Sequence, residues 1–171
     1  MAIPPAQAVA VTETCGCALT LEGEAWCWGK NRSGCLGRPQ SEIEHSATPM
    51  RIEGLPRLDR IVNTSGFACG SPLHGGLYCW GLNPGYFPDN TVPVLSPVYQ
   101  VPGVTDIVDL AVGGFSFCVI HGDETLECFG DGKISGHDGG CYEWQGHPID
   151  APFVDPSDEP YNPCECEGPL P

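Results

Sequence analysis

The chain has 171 residues, which is enough for one domain or a short array of repeats. Its net charge of −15 disfavours binding to nucleic acid or to an anionic membrane surface, since both need clustered basic residues. The 23 Gly and 18 Pro indicate a turn-rich all-β protein, and no apolar run is long enough to predict a membrane-spanning helix.

Three copies of the pattern Cys-x9-Cys-aromatic-Gly follow an N-terminal arm of residues 1–8. The copies begin at Cys17, Cys69 and Cys118, about 50 residues apart. Periods of this length are typical of repeat proteins, in which each unit buries its apolar face only against its neighbours. We therefore predict a repeat array over residues 9–135. Its hairpins are expected at residues 17–27, 69–79 and 118–128.

Each pattern fits an antiparallel hairpin with a short loop between the two cysteines. Apolar residues alternate on both sides of the first loop, residues 21–23, and a left-handed Gly23 would complete a type I turn with a bulge. That register places Cys17 opposite Cys27, at a Cα separation of about 4.5–5.5 Å that a disulfide can bridge. The same spacing predicts two further disulfides, Cys69–Cys79 and Cys118–Cys128.

The other two loops differ in where they carry glycine. The second, Leu73-His74-Gly75, again ends in Gly and is expected to adopt the same turn. The third, Gly122-Asp123-Glu124, carries its glycine first, which predicts a different turn.

Short alternating runs between the hairpins supply the remaining strands. Residues 58–62 and 104–112 contain such runs and lead into the second and third hairpins. Each unit thus has about four short strands, the number in one blade of a β-propeller. Hairpin aromatic residues are expected to pack between the blades. They are Trp26, Trp28, Tyr78, Trp80 and Phe129.

The first unit combines several motifs that identify a repeat family. They read Pro-x-x-Ile-x-Gly-Leu, Ile-Val and Cys-Ala-Leu-Thr-x-x-Gly-x-x-Trp-Cys-Trp-Gly-x-Asn-x-x-Gly-x-Leu-Gly. This pattern resembles the regulator-of-chromosome-condensation repeat, and it is most similar to the bacterial, exported, cysteine-bearing variety. The resemblance covers roughly residues 9–135 and is weakest in the third unit. The family's usual His, two residues before the first hairpin cysteine, is replaced here by Cys15, Phe67 and Ser116.

The resemblance implies a partial propeller, since family members close seven repeats into a ring and this chain has three. The missing blades could come from other copies of the chain, from a different subunit, or from residues 136–171. That segment is rich in Pro and acidic residues and is predicted to be an extended arm along the blades, pinned by Cys164 or Cys166. A disordered tail is the alternative. The predicted fold is therefore an all-β, disulfide-stabilised array of about three propeller-like blades with a C-terminal arm.

Five cysteines lie outside the hairpin pattern, and their pairing is left open. An abundance of cysteine without zinc-type CxxC pairs indicates structural disulfides and an oxidising compartment. We therefore expect a periplasmic, cell-surface or secreted protein. Because five is an odd number, at least one of the five is free, bonded to another chain or bound to something else. A metal- or redox-active role for the two CxC pairs is the alternative. The five are Cys15, Cys35, Cys141, Cys164 and Cys166.

No pattern in the sequence supports catalysis or a bound cofactor. Ser33 and Ser65 lack the G-x-S-x-G context of a nucleophile, and no haem-attachment or calcium-loop motif occurs. The histidines show no ordered metal-binding spacing, so solvated loop histidines are favoured. One candidate metal cluster is kept as the alternative: His121, His137, His147 and Asp138. The prediction is no enzyme activity, no cofactor and no metal.

The predicted function is protein–protein interaction. The leading hypothesis is an interaction or structural subunit outside the cytoplasm whose blade edges are completed by partner proteins or by self-assembly, without nucleic acid. The alternative is a free-standing secreted binder or enzyme inhibitor that acts through its loops. Exposed loop aromatic residues are typical anchors of binding surfaces, although they can also fold back onto the blades. The candidate partner surface comprises Tyr86, Phe87, Tyr142 and Trp144.

Overall fold

The computed structural model describes residues 3–64, 66–82, 95–113 and 116–130. In these ranges the chain forms eleven strands in three antiparallel sheets, and each sheet consists of consecutive strands. Blade 1 comprises β1 (Ala6–Val11), β2 (Cys15–Thr20), β3 (Ala25–Lys30) and β4 (His45–Arg51). Blade 2 comprises β5 (Arg60–Asn63), β6 (Phe67–Ser71), β7 (Tyr78–Leu82) and β8 (Leu95–Gln100). Blade 3 comprises β9 (Ile107–Gly113), β10 (Ser116–His121) and β11 (Leu126–Gly130).

The three blades are arranged side by side around their first strands. Strand β5 contacts β1 and β2 on one side and β9 on the other. This is the arrangement of neighbouring propeller blades, and it confirms the predicted all-β, partial-propeller fold over the described ranges. None of the residues described there forms a helix that is long and apolar enough to cross a membrane. The predicted C-terminal arm, residues 136–171, lies outside the described residues.

Two apolar cores lie between the blades, and alternation along the strands decides which side chains enter them. The core between blades 1 and 2 contains Cys17, Leu19, Cys27, Leu36, Leu58, Ile61 and Trp80. The core between blades 2 and 3 contains Phe67, Cys69, Leu77, Cys79, Ile107, Leu110, Phe117 and Val119. Blade 2 therefore buries one face against blade 1, which precedes it in the chain, and the opposite face against blade 3, which follows it. We call these the leading face and the trailing face.

The first hairpin loop has the predicted turn. Gly23 is left-handed, with φ of 77°. The Gly23 amide donates to the Thr20 carbonyl over 2.9 Å, and the Thr20 amide donates to the Glu24 carbonyl over 2.9 Å. The three-residue loop with a bulge, and the strand register derived from it, are both confirmed.

The second loop differs from its prediction. The left-handed residue is His74, with φ of 55°, and not Gly75. Gly75 is instead drawn into pairing with the third blade: the Ile107 amide donates to the Gly75 carbonyl, and the His74 amide donates to the Ile107 carbonyl. A contact between blades has therefore overridden the local preference of glycine.

The third loop also contradicts its prediction, because it adopts the same turn as the first. Glu124 takes the left-handed position with φ of 68°, and its amide donates to the His121 carbonyl over 3.0 Å. Glycine occupies the first position of this loop, Gly122, for a steric reason: a Cβ atom there would lie 2.6 Å from the Asp106 carboxylate. The hydroxyl and the amide of Thr125 donate to Asp123 and lower the pKa of this carboxyl below its ordinary value of 3.8.

Candidate functional site

All of the residues that the sequence predicts as a partner surface lie outside the part of the chain that the structure describes. The four loop aromatic residues Tyr86, Phe87, Tyr142 and Trp144 lie outside the described residues, as do Cys141, Cys164 and Cys166. Three members of the alternative metal cluster, His137, Asp138 and His147, lie outside them too. The surfaces that the structure describes are those of the blades.

The described cysteines all form disulfides. Three bonds join directly opposed hairpin residues with Cα separations of 4.1 Å: Cys17–Cys27, Cys69–Cys79 and Cys118–Cys128. A fourth bond joins Cys15 to Cys35 across a Cα separation of 6.7 Å. It fixes the loop between β3 and β4 to the start of β2. Sequence spacing left this pair unassigned, because the loop has no strand register from which to derive a partner.

Asn31 holds the same loop together from inside, and sequence analysis gave it no role. Its side chain is completely buried. The amide nitrogen donates to the carbonyls of Arg38 and Ile43 over 3.0 and 2.8 Å, and the amide oxygen accepts from the Leu36 amide over 2.9 Å. The Gly-x-Asn-x-x-Gly-x-Leu-Gly motif is thus a device for closing this loop, because one buried side chain satisfies three main-chain groups.

The loop closed by Asn31 carries the contact between blades 1 and 2. The Trp80 side chain, only 1% exposed, lies on the leading face of blade 2, and its indole N–H donates to the Cys35 carbonyl over 3.0 Å. Beside it the Asn63 amide donates to the Cys15 sulfur over 3.3 Å. The backbones approach so closely that a Cβ on Gly34 would lie 2.9 Å from the Gly81 Cα. This junction is tightly packed and hydrogen-bonded at its centre.

The contact between blades 2 and 3 is apolar at its centre and polar at its edge. The rings of Phe67 and Phe117 meet edge to face, with centroids 6.3 Å apart. At the edge, Nε of Arg60 in β5 lies 3.4 Å from the Asp109 carboxylate in β9. Within blade 3, Nδ1 of His121 lies 2.7 Å from the Thr105 carbonyl and Nε2 lies 3.1 Å from the Glu127 carboxylate.

The leading face of blade 1 has no blade against it in the described structure. Val9 and Val11 are 65% and 67% exposed there. They pair with Ala18 and Gly16, which in turn pair with Trp26 and Trp28. The indole of Trp28 lies directly on Gly16, where a Cβ would come within 2.7 Å of the ring. Trp80 packs between blades as predicted, whereas Trp28 is half-buried on a face that no described blade covers. Trp26, on the same face, is only 9% exposed and donates its indole N–H to Glu24.

The trailing face of blade 3 is open as well. Cys118 and Cys128 pair on this face, and Ile120 pairs with Leu126 one step further along the same strands. Ile120 is 40% exposed and Leu126 is 52% exposed. The described part of the chain therefore ends, at both sides, in an apolar sheet face.

Concave sites for small molecules are poorly developed in the described structure. One hollow, of about 300 Å³, is wide open and lies between residues 22–24 and 51–57. Another, of about 260 Å³, lies where Val11, Asn63 and Val112 meet at the ends of the first strands of the blades. Across the described ranges, no three His, Cys, Asp or Glu side chains are grouped so that they could hold a metal ion.

Comparison with known proteins agrees with this geometry. Residues 22–72 match the family model of the regulator of chromosome condensation (RCC1) repeat. The structure is similar to Prp20p from Saccharomyces cerevisiae, with a TM-score of 0.63 and 24% identity over 75% of this chain and 33% of that one. It is also similar to human WBSCR16, with a TM-score of 0.65 and 19% identity over 74% of this chain and 33% of that one. No curated protein sequence matches the chain significantly.

A third similar structure is yeast RCC1 (Prp20) bound to Kap60, with a TM-score of 0.61 and 23% identity over 75% of this chain and 32% of that one. For Prp20p, binding to Gsp1p and histones is also described. This chain spans about a third of the length of these three proteins. The similarities confirm the resemblance to RCC1 repeats and the propeller fold of the described blades. Membership of the bacterial exported variety remains a prediction.

Proposed function

We propose that this protein is a non-enzymatic interaction subunit that works outside the cytoplasm, and that partner chains cover the open faces of its terminal blades. RCC1-like propeller repeats are commonly protein-interaction modules. The similar yeast proteins bind the protein partners named above. The particular partners of this chain are a separate question, because it spans only a third of those proteins.

The observation that carries the proposal is the exposed leading face of blade 1. Its valine Val9 occupies the position that Ile61 occupies in blade 2, and its indole Trp28 occupies the position of Trp80. In blade 2 both positions are buried against a neighbouring blade, whereas Val9 is 65% exposed. Contiguous exposed apolar surface of this kind marks interaction sites. Blade 1 thus carries the side chains of a blade-binding face, and no described part of the chain covers that face.

The extracytoplasmic part of the proposal is supported by the disulfides. Eight of the eleven cysteines form four bonds within the described blades. Disulfides of this number persist in oxidising compartments and are rare in the cytosol of most cells. Six of these eight cysteines are buried in the cores between the blades, which supports a structural rather than a redox role for their disulfides.

The test is to isolate the full chain from its source under non-reducing conditions, cross-link it and measure the native mass. We expect co-purifying chains whose cross-links map to β1 and to the loops beside it. A Val9→Asp/Val11→Asp variant should lose these chains. The matched control is Leu21→Asp/Leu73→Asp, which introduces the same charge at exposed leucines of two hairpin loops and should retain them. A monomeric wild-type chain without cross-linked partners would contradict the proposal.

A further inference from the structure

The described chain ends in two faces of opposite kinds, and inside the molecule these two kinds of face already pack on one another. We infer that the trailing face of blade 3 in one copy docks on the leading face of blade 1 in a second copy, head to tail. This inference rests on the proposed function and names its partner as a second copy of the same chain.

The junction between blades 1 and 2 shows what a leading face binds. The trailing face of blade 1 presents the Cys17–Cys27 disulfide, flanked by Leu19 and Ala25. It packs on the leading face of blade 2, where Ile61 and Trp80 are buried. In this junction, a trailing face with a disulfide and two aliphatic neighbours packs on a leading face with an aliphatic residue and an indole.

The junction between blades 2 and 3 repeats the same relation with different side chains. Here the Cys69–Cys79 disulfide and Leu77 form the trailing face of blade 2. They pack against Leu110, Phe117 and Val119 of the leading face of blade 3. At both junctions, therefore, a trailing face that carries a disulfide packs on a leading face that carries aliphatic and aromatic side chains. The two junctions use different residues, so this pairing of faces does not depend on one set of side chains.

The two open faces match this rule position by position. On the trailing face of blade 3, the Cys118–Cys128 disulfide has Ile120 and Leu126 where blade 1 has Leu19 and Ala25. On the leading face of blade 1, Val9 and Trp28 stand where blade 2 has Ile61 and Trp80. Docking of one on the other would reproduce an internal junction between two chains.

The Trp28 indole adds a requirement that the occupant must meet, namely a hydrogen-bond acceptor. Trp80 donates its N–H to the main-chain carbonyl of Cys35, which belongs to the preceding blade. Within the part of the chain that the structure describes, the Trp28 N–H has no such acceptor. Buried indoles usually find a hydrogen-bond partner, so the covering surface must bring an acceptor, as a blade loop does.

The interface has to form between chains that repel each other, because each carries a net charge of −15. The exposed apolar side chains at the centre of the two faces carry no charge, and each face has a charged residue beside them: Arg51 pairs with Trp26, and Asp109 pairs with Ile120. These two charges are opposite in sign, so the repulsion comes from the rest of the surface. Salt shortens the Debye length to about 8 Å at physiological ionic strength and does not weaken apolar contacts. Association should therefore become tighter as salt is added, which is the opposite of an interface based on ion pairs.

The experiment is a complementation test by sedimentation velocity on the oxidised full chain. One variant, Val9→Asp/Val11→Asp, damages only the leading face, and another, Ile120→Asp/Leu126→Asp, damages only the trailing face. We expect the wild type to self-associate and each variant alone to be weakened roughly a hundredfold or more. A mixture of the two variants should form heterodimers, since each contributes one intact face of the pair. Circular dichroism and melting temperature show whether each variant is folded.

The Leu21→Asp/Leu73→Asp variant again serves as the control with the same charge, and it should associate like the wild type. Self-association of the trailing-face variant alone would indicate a symmetric contact between leading faces and overturn the head-to-tail inference. A wild type that stays monomeric in high salt would also overturn it. If that monomer nevertheless cross-links through β1 to a different protein from the source, the proposed function stands and only the identity of the partner is wrong.

Discussion

Replacing Glu124 by glycine should stabilise the protein, although it removes a side chain from a charged surface loop. Glu124 is held at φ of 68°, in the left-handed region. This conformation costs a residue with a Cβ atom about 1–2 kcal/mol. Glycine removes that strain but loses about 0.5–1 kcal/mol through the greater freedom of its unfolded chain. The net gain should be about 0.5–1 kcal/mol.

The gain is measurable as a change in melting temperature of the oxidised full chain. For a chain of this size, 1 kcal/mol shifts the melting temperature by about 2–4 °C, so an increase of about 1–4 °C is expected. Glu22→Gly is the matched control, because it makes the same chemical change in the first loop at a residue whose φ is not positive. That control should lower the melting temperature. If Glu124→Gly lowers it equally, the left-handed strain assigned to the third loop does not exist.

The other three predictions concern the loop and the junction between blades 1 and 2. Asn31→Ala removes three buried hydrogen bonds and should lower the free energy of unfolding in urea by about 3 kcal/mol or more. A loss of stability no larger than that expected for an Asn→Ala change at an exposed position would contradict the role given to this side chain. Trp80→Phe leaves the Cys35 carbonyl without its donor and should cost about 1–3 kcal/mol. Trp28→Phe, the matched change on the open face, should leave the stability of the monomer nearly unchanged, and equal effects would refute the difference in burial. Cys15→Ala/Cys35→Ala should cost about 3 kcal/mol by releasing the chain between them, as measured by non-reducing denaturation. Protease cleavage should then appear between residues 31 and 38, and its absence would show that Asn31 suffices to hold the loop.

The hairpins could be derived from sequence because their register depends on local features alone. A spacing of ten residues between Cys17 and Cys27, with Gly23 at the end of the loop, determines which residues face each other. The position of Asn31 was visible in the repeat motif as well. Its three hydrogen bonds were not, because they end on carbonyls and an amide of a loop without periodicity.

The turns of the second and third hairpins could not be derived locally, because contacts with another segment decide them. Gly75 pairs with Ile107, and Gly122 lies against the carboxylate of Asp106. In each case glycine serves a close approach between chain segments, and a residue with a Cβ atom takes the left-handed position instead. From sequence alone, a glycine in a loop can therefore indicate either a left-handed backbone conformation or a close approach of another chain segment, and the loop sequence does not distinguish the two.

The same distinction applies to the aromatic residues that sequence analysis assigned to the core. Trp28 and Trp80 follow equivalent cysteines in equivalent hairpins, and nothing in their local sequence separates them. Burial separates them: Trp80 is 1% exposed and has a blade in front of it, whereas Trp28 is half-buried and has none within the described structure. In a repeat protein, the residue type at a given position reflects the surface that packs on that position in the other repeats. The exposure of the residue shows whether such a surface is present within the described part of the same chain. An apolar or aromatic residue on an uncovered blade face, at a position that is buried in another blade, is therefore evidence for a partner. The junction that buries the equivalent residue inside the molecule indicates which side chains that partner should present.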